Sequence, residues 1–200
     1  MPGQWMSHQI DTVHWFSGFT HPRSVVANGG IYMWKDGRKN WDTTTAVFDY
    51  GPQDQPTTGF QVTFGSRMHN GNEQPAEIYY SNGGELNLIT NMVSPKGGLG
   101  KNHAQAMNMQ PNLLPEVKLI EKPEAVIASA NTGADKLTSN HMRNFMECVR
   151  SRSQPNAPVE AGYYHSIATI MTNAAVHTGA KVTFDEKKQE VMANGKIWHL

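Results

Sequence analysis

Cysteine is nearly missing from this chain: Cys148 is the only one in 200 residues. A lone thiol excludes an internal disulfide and a cysteine-based zinc site. Set in an apolar stretch with no base beside it, Cys148 reads as core filling rather than chemistry. Charge is sparse as well, at 17% of residues, with 17 basic side chains against 17 acidic ones. No basic cluster stands out, which argues against nucleic acid or an anionic membrane surface as partner. No stretch approaches the roughly 18 consecutive apolar residues of a membrane span. The N-terminus shows no charged and apolar export signal, and the compartment is left unmarked. Glycine is plentiful, yet Gly-x-Gly-x-x-Gly never occurs. Its nearest approach, Gly97-Gly98-Leu99-Gly100, lacks the third glycine and follows no convincing strand.

What is present begins at once. Two hundred residues suffice for one domain with a real core. Asn, Gln, Thr and Gly suit a polar surface that handles neutral polyols. Over the first eighteen residues, Gln4, His8, Asp11 and Trp15 fall on one helical stripe, with Met6, Ile10, Val13 and Phe16 supplying apolar contacts beside it. Gly18 is a natural stop, with Pro22 beyond. An imidazole one turn from a carboxylate can be held in one tautomer, which suits acid–base work near neutral pH. The plainer reading of His8 is a helix histidine satisfied by a neighbour. His8, Asp11 and His14 also suggest metal ligands, but at about 100° per residue their directions spread over roughly 120°, too wide for three undistorted bonds. No metal is expected, and His14 reads as a surface or packing residue.

Further along, 24–28 and 31–34 read as β-forming, with Gly29-Gly30 as a bend and Lys35-Asp36-Gly37-Arg38 as a turn. Strands are predicted over 43–50, closed by Gly51-Pro52, and over 60–67, where apolar and polar residues alternate. A hairpin follows over 77–89, turning at Ser81-Asn82-Gly83-Gly84. From 91 to 116 no pattern survives, and a long irregular loop is expected as substrate-side cover or an interface arm. Helices are predicted over 135–152 and 159–178, then a strand over 181–185. In the first of these helices Leu137, His141, Phe145, Cys148, Val149 and Arg152 share one face. That order implies the α+β class, with an open, mostly antiparallel β-sheet and helices packed on one face. Arg67 ends a strand, where it either bonds a sugar hydroxyl or carboxylate or charges a sheet edge. Trp5, Trp15 and Trp34 either stack on sugar faces or pack between helix and sheet.

The leading stretch, Gly3-x-x-x-Ser7-His8-Gln9-Ile10-Asp11-x-x-x-Trp15, resembles the first helix of the C-terminal domain of the Gfo/Idh/MocA oxidoreductases, the glucose-fructose oxidoreductase and inositol dehydrogenase family. The glycine-turned hairpin is similar to a family element. So is Asn144-Phe145-Met146-Glu147-Cys148-Val149-Arg150, followed by Pro158-Val159-Glu160. The resemblance covers nearly the whole chain. It implies that 1–200 is a single substrate-binding and oligomerisation domain of an NAD(P)-dependent oxidoreductase acting on a sugar or polyol CH–OH group.

By the same resemblance His8 matches the family's catalytic histidine and Asp11 the aspartate after it. Gln4 stands where the family usually has aspartate. These two, with Arg67 and His165, are the candidate substrate-binding residues. NAD or NADP is expected in a complete enzyme, with none bound by this chain alone. The missing Rossmann domain, a small sugar or polyol and further copies of the chain in a homo-oligomer are the expected partners. The family's catalytic Lys lies in a Glu-Lys-Pro motif ahead of this domain. Here Glu121-Lys122-Pro123 comes after the sheet, so Lys122 is read as solvated. Two rivals stay open: a non-catalytic carbohydrate-binding or scaffold module, and an NAD-dependent glycoside-processing enzyme of the same family.

Overall fold

The computed structural model describes residues 2–68, 76–119 and 136–199. Two compact units divide the chain, Met1–Asn70 with Arg143–Leu200, and Gly71–Met142.

The first unit opens with a π-helical turn, Pro2–Met6, that runs into α1 (Ser7–Ser17). Met6, Ile10 and Val13 recur at helical spacing and are buried, which fixes one side of α1 to the body of the unit. Phe16, expected beside them, is half exposed. The helix stops where the Gly18 N–H donates to the His14 carbonyl at 2.9 Å. The sheet behind it is built of β1 (Ser24–Gly30), β2 (Thr43–Tyr50), β3 (Phe60–Arg67), β8 (Val182–Asp185), β9 (Glu190–Ala193) and β10 (Lys196–Ile197), in the order β10-β9-β8-β1-β2-β3. Every pairing in it is antiparallel. Thr44, Ala46, Phe48 and Tyr50 alternate along β2 with more exposed residues, the period of two expected of a sheet covered on one face.

The cover is α4 (Val159–Thr178), which starts after Pro158 and ends at Gly179. Its Ile167, Ala168, Met171, Thr172, Ala174 and Ala175 are buried, and it packs on β1, β8 and β9. Small residues there let helix and sheet approach closely, while Met6 of the π turn reaches Thr172. The β9–β10 hairpin was not foreseen. Its Asn194-Gly195 turn, with φ of 51° and 74°, is the pair that a two-residue hairpin demands.

In the second unit β4 (Ile78–Ser81), β5 (Gly84–Asn87), β6 (Met92–Ser94) and β7 (Val117–Lys118) form an antiparallel sheet in that order. The hairpin over 77–89 is therefore present as β4 and β5. The stretch 91–116 is not irregular throughout: it holds β6 and a short helix, α2 (Lys101–Ala106). Backbone bonds hold it to the hairpin, from Leu99 N–H to the Asn82 carbonyl at 2.7 Å and from Leu114 N–H to the Gly83 carbonyl at 2.8 Å. Pairing with a neighbouring strand, not local periodicity, makes β6 a strand. α3 (Lys136–Ser151) then spans the sequence boundary between the units. Of the face predicted for it, only Cys148 is buried among the described side chains, its Sγ 3.5 Å from the Gln154 carbonyl. No described helix is long and apolar enough to cross a membrane.

Candidate active site

α1 presents two chemically different sides. Toward the interior lie Met6, Ile10, Val13 and His14; toward solvent lie His8, Asp11 and Trp15. The stripe of His8, Asp11 and Trp15 is thus a surface stripe, with Trp15 81% exposed and its ring stacked on Phe16. Gln4 belongs to the π-helical turn, one turn before His8.

Asp11 is met by α4. Its Oδ1 lies 3.9 Å from Nδ1 of His165, an ion pair when that imidazole is protonated. The distance is too long for a hydrogen bond, and the His165 Nδ1 is buried without a hydrogen-bond partner among the described residues. Two of the candidate residues, 154 positions apart in sequence, are brought together by helix packing. His8 stands three residues before Asp11 on the same exposed side.

Arg67 is placed elsewhere, at the end of the edge strand β3, opposite Thr43. Phe60, at the other end of β3, stacks on Tyr50. Seven residues of strand, about 23 Å, separate Arg67 from that aromatic end. Lys122 lies outside the described residues. His14 turns inward, where its Nε2 shares a hydrogen bond of 3.0 Å with the Tyr50 hydroxyl. Burial, and then the nearby imidazoles of His165 and His21, push its pKa down to about 4. His14 therefore faces away from His8 and Asp11, so the three do not converge as metal ligands. Among the described residues no group of three His, Cys, Asp or Glu side chains is placed to hold a metal ion.

Two polar groups escaped sequence reasoning. Arg23 is buried and forks onto Asp49, Nε to Oδ2 at 3.1 Å and Nη2 to Oδ1 at 3.0 Å, with Pro52 and Gln55 carbonyls accepting from Nη1. Asp42 is wholly buried before β2 and accepts backbone N–H bonds from Tyr32, Met33 and Trp34. Burial pushes the Asp42 carboxyl up, but those donors together outweigh it and hold it well below the usual carboxylate range. The only signal for either was a charged residue beside an apolar strand.

Every strand pairing among the described residues is antiparallel. The glycine turn that cradles a dinucleotide pyrophosphate belongs to a parallel βαβ crossover, which these residues do not form. They do not fit a nicotinamide dinucleotide by that route.

No protein-family model matches the sequence, and no curated protein matches it significantly. Solved structures do share its fold. A Bacillus subtilis protein designated an oxidoreductase, YvaA, aligns at a TM-score of 0.53 and 12% identity, over 91% of this chain and 52% of its own. The WlbA dehydrogenase of Bordetella pertussis, solved with NADH and UDP-GlcNAcA, aligns at 0.55 and 11% identity, over 90% of this chain and 46% of its own. A Bacteroides fragilis protein designated an oxidoreductase aligns at 0.50 and 13%, over 92% and 51%. The chain spans about half the length of each. What the three have in common with this chain is the fold, over about half of each of their own lengths.

Proposed function

We propose that residues 1–200 are the substrate-binding and oligomerising domain of a Gfo/Idh/MocA-type, NAD(P)-dependent oxidoreductase acting on a sugar or polyol CH–OH group. The observation that carries this is the meeting of Asp11 and His165 at 3.9 Å beside the exposed His8, on a helix led by a π turn. Single π turns recur at functional sites. The sugar-nucleotide ligand solved with the Bordetella pertussis dehydrogenase supports a sugar as substrate class.

In a complete enzyme a nicotinamide held outside these residues would supply hydride chemistry at the substrate carbon. His8 takes the proton of the hydroxyl on that carbon, or returns it in the reverse direction. Asp11 accepts a hydrogen bond from a neighbouring hydroxyl, and His165 sets the charge felt by Asp11. Gln4, one turn before His8, completes the substrate contacts, and Arg67, at the far end of β3, is left out of them. The sheet face opposite α4 serves the homo-oligomer.

The test is the parent enzyme assayed with NAD or NADP and a panel of polyols and sugars. His8→Ala should lower kcat by roughly 10²- to 10⁴-fold. Undiminished turnover in that variant would remove His8 from the chemistry and favour the scaffold reading. The isolated chain should show no turnover.

A further inference from the structure

Between β1 and β2 the chain reads Tyr32-Met33-Trp34-Lys35-Asp36-Gly37-Arg38-Lys39-Asn40-Trp41, aromatic and basic side chains interleaved, and positions 32–40 are exposed. Tyr32 and Met33 are each 63% exposed and Trp34 42%. Three consecutive large apolar side chains in water are a liability unless something covers them.

This loop is nevertheless held firmly. Three successive backbone N–H groups, of Tyr32, Met33 and Trp34, donate to the buried Asp42 carboxylate at 3.1, 2.8 and 3.0 Å, and the Thr43 hydroxyl donates to it at 3.1 Å. Tyr32 lies over Gly30 so closely that a Cβ there would sit 2.8 Å from its Cζ. One side of the phenol ring is thus seated on the strand, and the side chain remains open to solvent. The Arg38 guanidinium stands 4.9 Å from the Trp34 ring centroid, and its Nε bonds Asp36 Oδ1 at 2.8 Å. Lys35 is tied to the Ile31 carbonyl. The exposed charges are Lys35, Arg38 and Lys39 against Asp36 alone.

A fastened backbone carrying two exposed rings, with Arg38 over Trp34 and Lys35 and Lys39 beside them in sequence, suits a ligand that offers apolar ring faces and negative charge together. A pyranose chain bearing carboxylates does so, its C–H faces on Tyr32 and Trp34 and its carboxylates on the cations. Nucleic acid is less well served. Affinity for it rests largely on phosphates neutralised by Lys and Arg, whereas this loop offers three cations, Arg38 already paired with Asp36, on a chain with 17 basic and 17 acidic residues.

We propose that loop 32–41, fastened by Asp42, is a binding platform for an acidic oligosaccharide of the uronate type. The platform does not depend on the oxidoreductase reading.

Titrating the chain with tetragalacturonate, maltotetraose and an octathymidylate, followed by calorimetry and by the Trp34 indole NMR signal, tests it. Tetragalacturonate should bind, weaken steeply with salt, and shift the Trp34 indole resonance. Trp34→Ala and the Lys35→Ala/Lys39→Ala pair should each weaken binding by about tenfold or more, while Trp34→Phe, which keeps an aromatic face, should retain most of it. Unchanged circular dichroism certifies each variant as folded. No binding at millimolar tetragalacturonate overturns the proposal. So does equal binding of neutral maltotetraose, tighter binding of the oligonucleotide, or indifference to loss of the Trp34 ring in a folded variant.

Discussion

His14 Nε2 and the Tyr50 hydroxyl lie 3.0 Å apart, joining the last turn of α1 to the end of β2 across thirty-six residues of sequence. The rings meet edge-on, 5.7 Å between centroids. The second ring nitrogen, Nδ1, is buried with no hydrogen-bond partner among the described residues. The helix that carries His8 and Asp11 is thus anchored by a polar pair with no spare partner, and stability there depends on keeping that imidazole neutral.

Acid should loosen this anchor. His14 has its pKa lowered from 6.5 to about 4, by burial first and neighbouring imidazoles next. Above pH 6.5 the imidazole is neutral in both folded and unfolded chains. Below it the unfolded chain takes up a proton that the folded chain refuses until about pH 4, so stability falls as pH drops through that window. The loss amounts to about 3 kcal/mol. Urea melts from pH 7.5 to 4 should show it, and His14→Gln should flatten that part of the profile.

Removing the phenol hydroxyl should cost less but act at every pH. Tyr50→Phe leaves His14 Nε2 buried without its partner and should destabilise the first unit by about 1–3 kcal/mol. Burial holds the Tyr50 phenol well above its ordinary pKa, so the hydroxyl stays protonated and the effect should be constant from pH 7 to 9. Thermal unfolding across that range measures it.

Asp11 and His165 make a different demand. In a complete enzyme of the proposed kind Asp11→Asn should lower kcat/KM by roughly 10- to 100-fold, less than His8→Ala, with thermal stability unchanged. A purely structural pair would change stability and leave kcat/KM in place.

The β2–β3 turn tests backbone geometry. Gly59 has a φ of 135°, and a Cβ there would stand 1.8 Å from the Tyr50 carbonyl oxygen. Gly59→Ala should cost about 3 kcal/mol and broaden NMR signals at both ends of the turn.

Asp42→Ala should free the loop it fastens. Three backbone donors lose their acceptor, and trypsin should cut after Lys35, Arg38 or Lys39 about tenfold faster in the variant. An unchanged digestion rate would show that the loop is held by other means.

Local periodicity was enough for the longer elements, whereas 31–34, expected as β-forming, is loop, and β6, α2, β9 and β10 were not legible. Alternation over 43–50 and 60–67 and the apolar stripes of α1 and α4 follow from which side of a strand or helix meets water, a property written residue by residue. The glycine stops at Gly18 and Gly179 were equally legible. The α+β class, with antiparallel strands and helices, could be read before any coordinate. So could the resemblance that marks His8 and Asp11, because it rests on the identity and spacing of side chains.

Pairing across distance was not legible. That β6 is a strand, that the strands divide between two sheets, and that His165 rather than Arg67 stands beside Asp11 all depend on which surfaces meet after folding. His14 shows the limit most sharply. As sequence it shares a helix with His8 and lies six residues further along it. Only packing against Tyr50 turns it inward and drives its proton affinity down, because desolvation is a property of the surroundings and not of the residue.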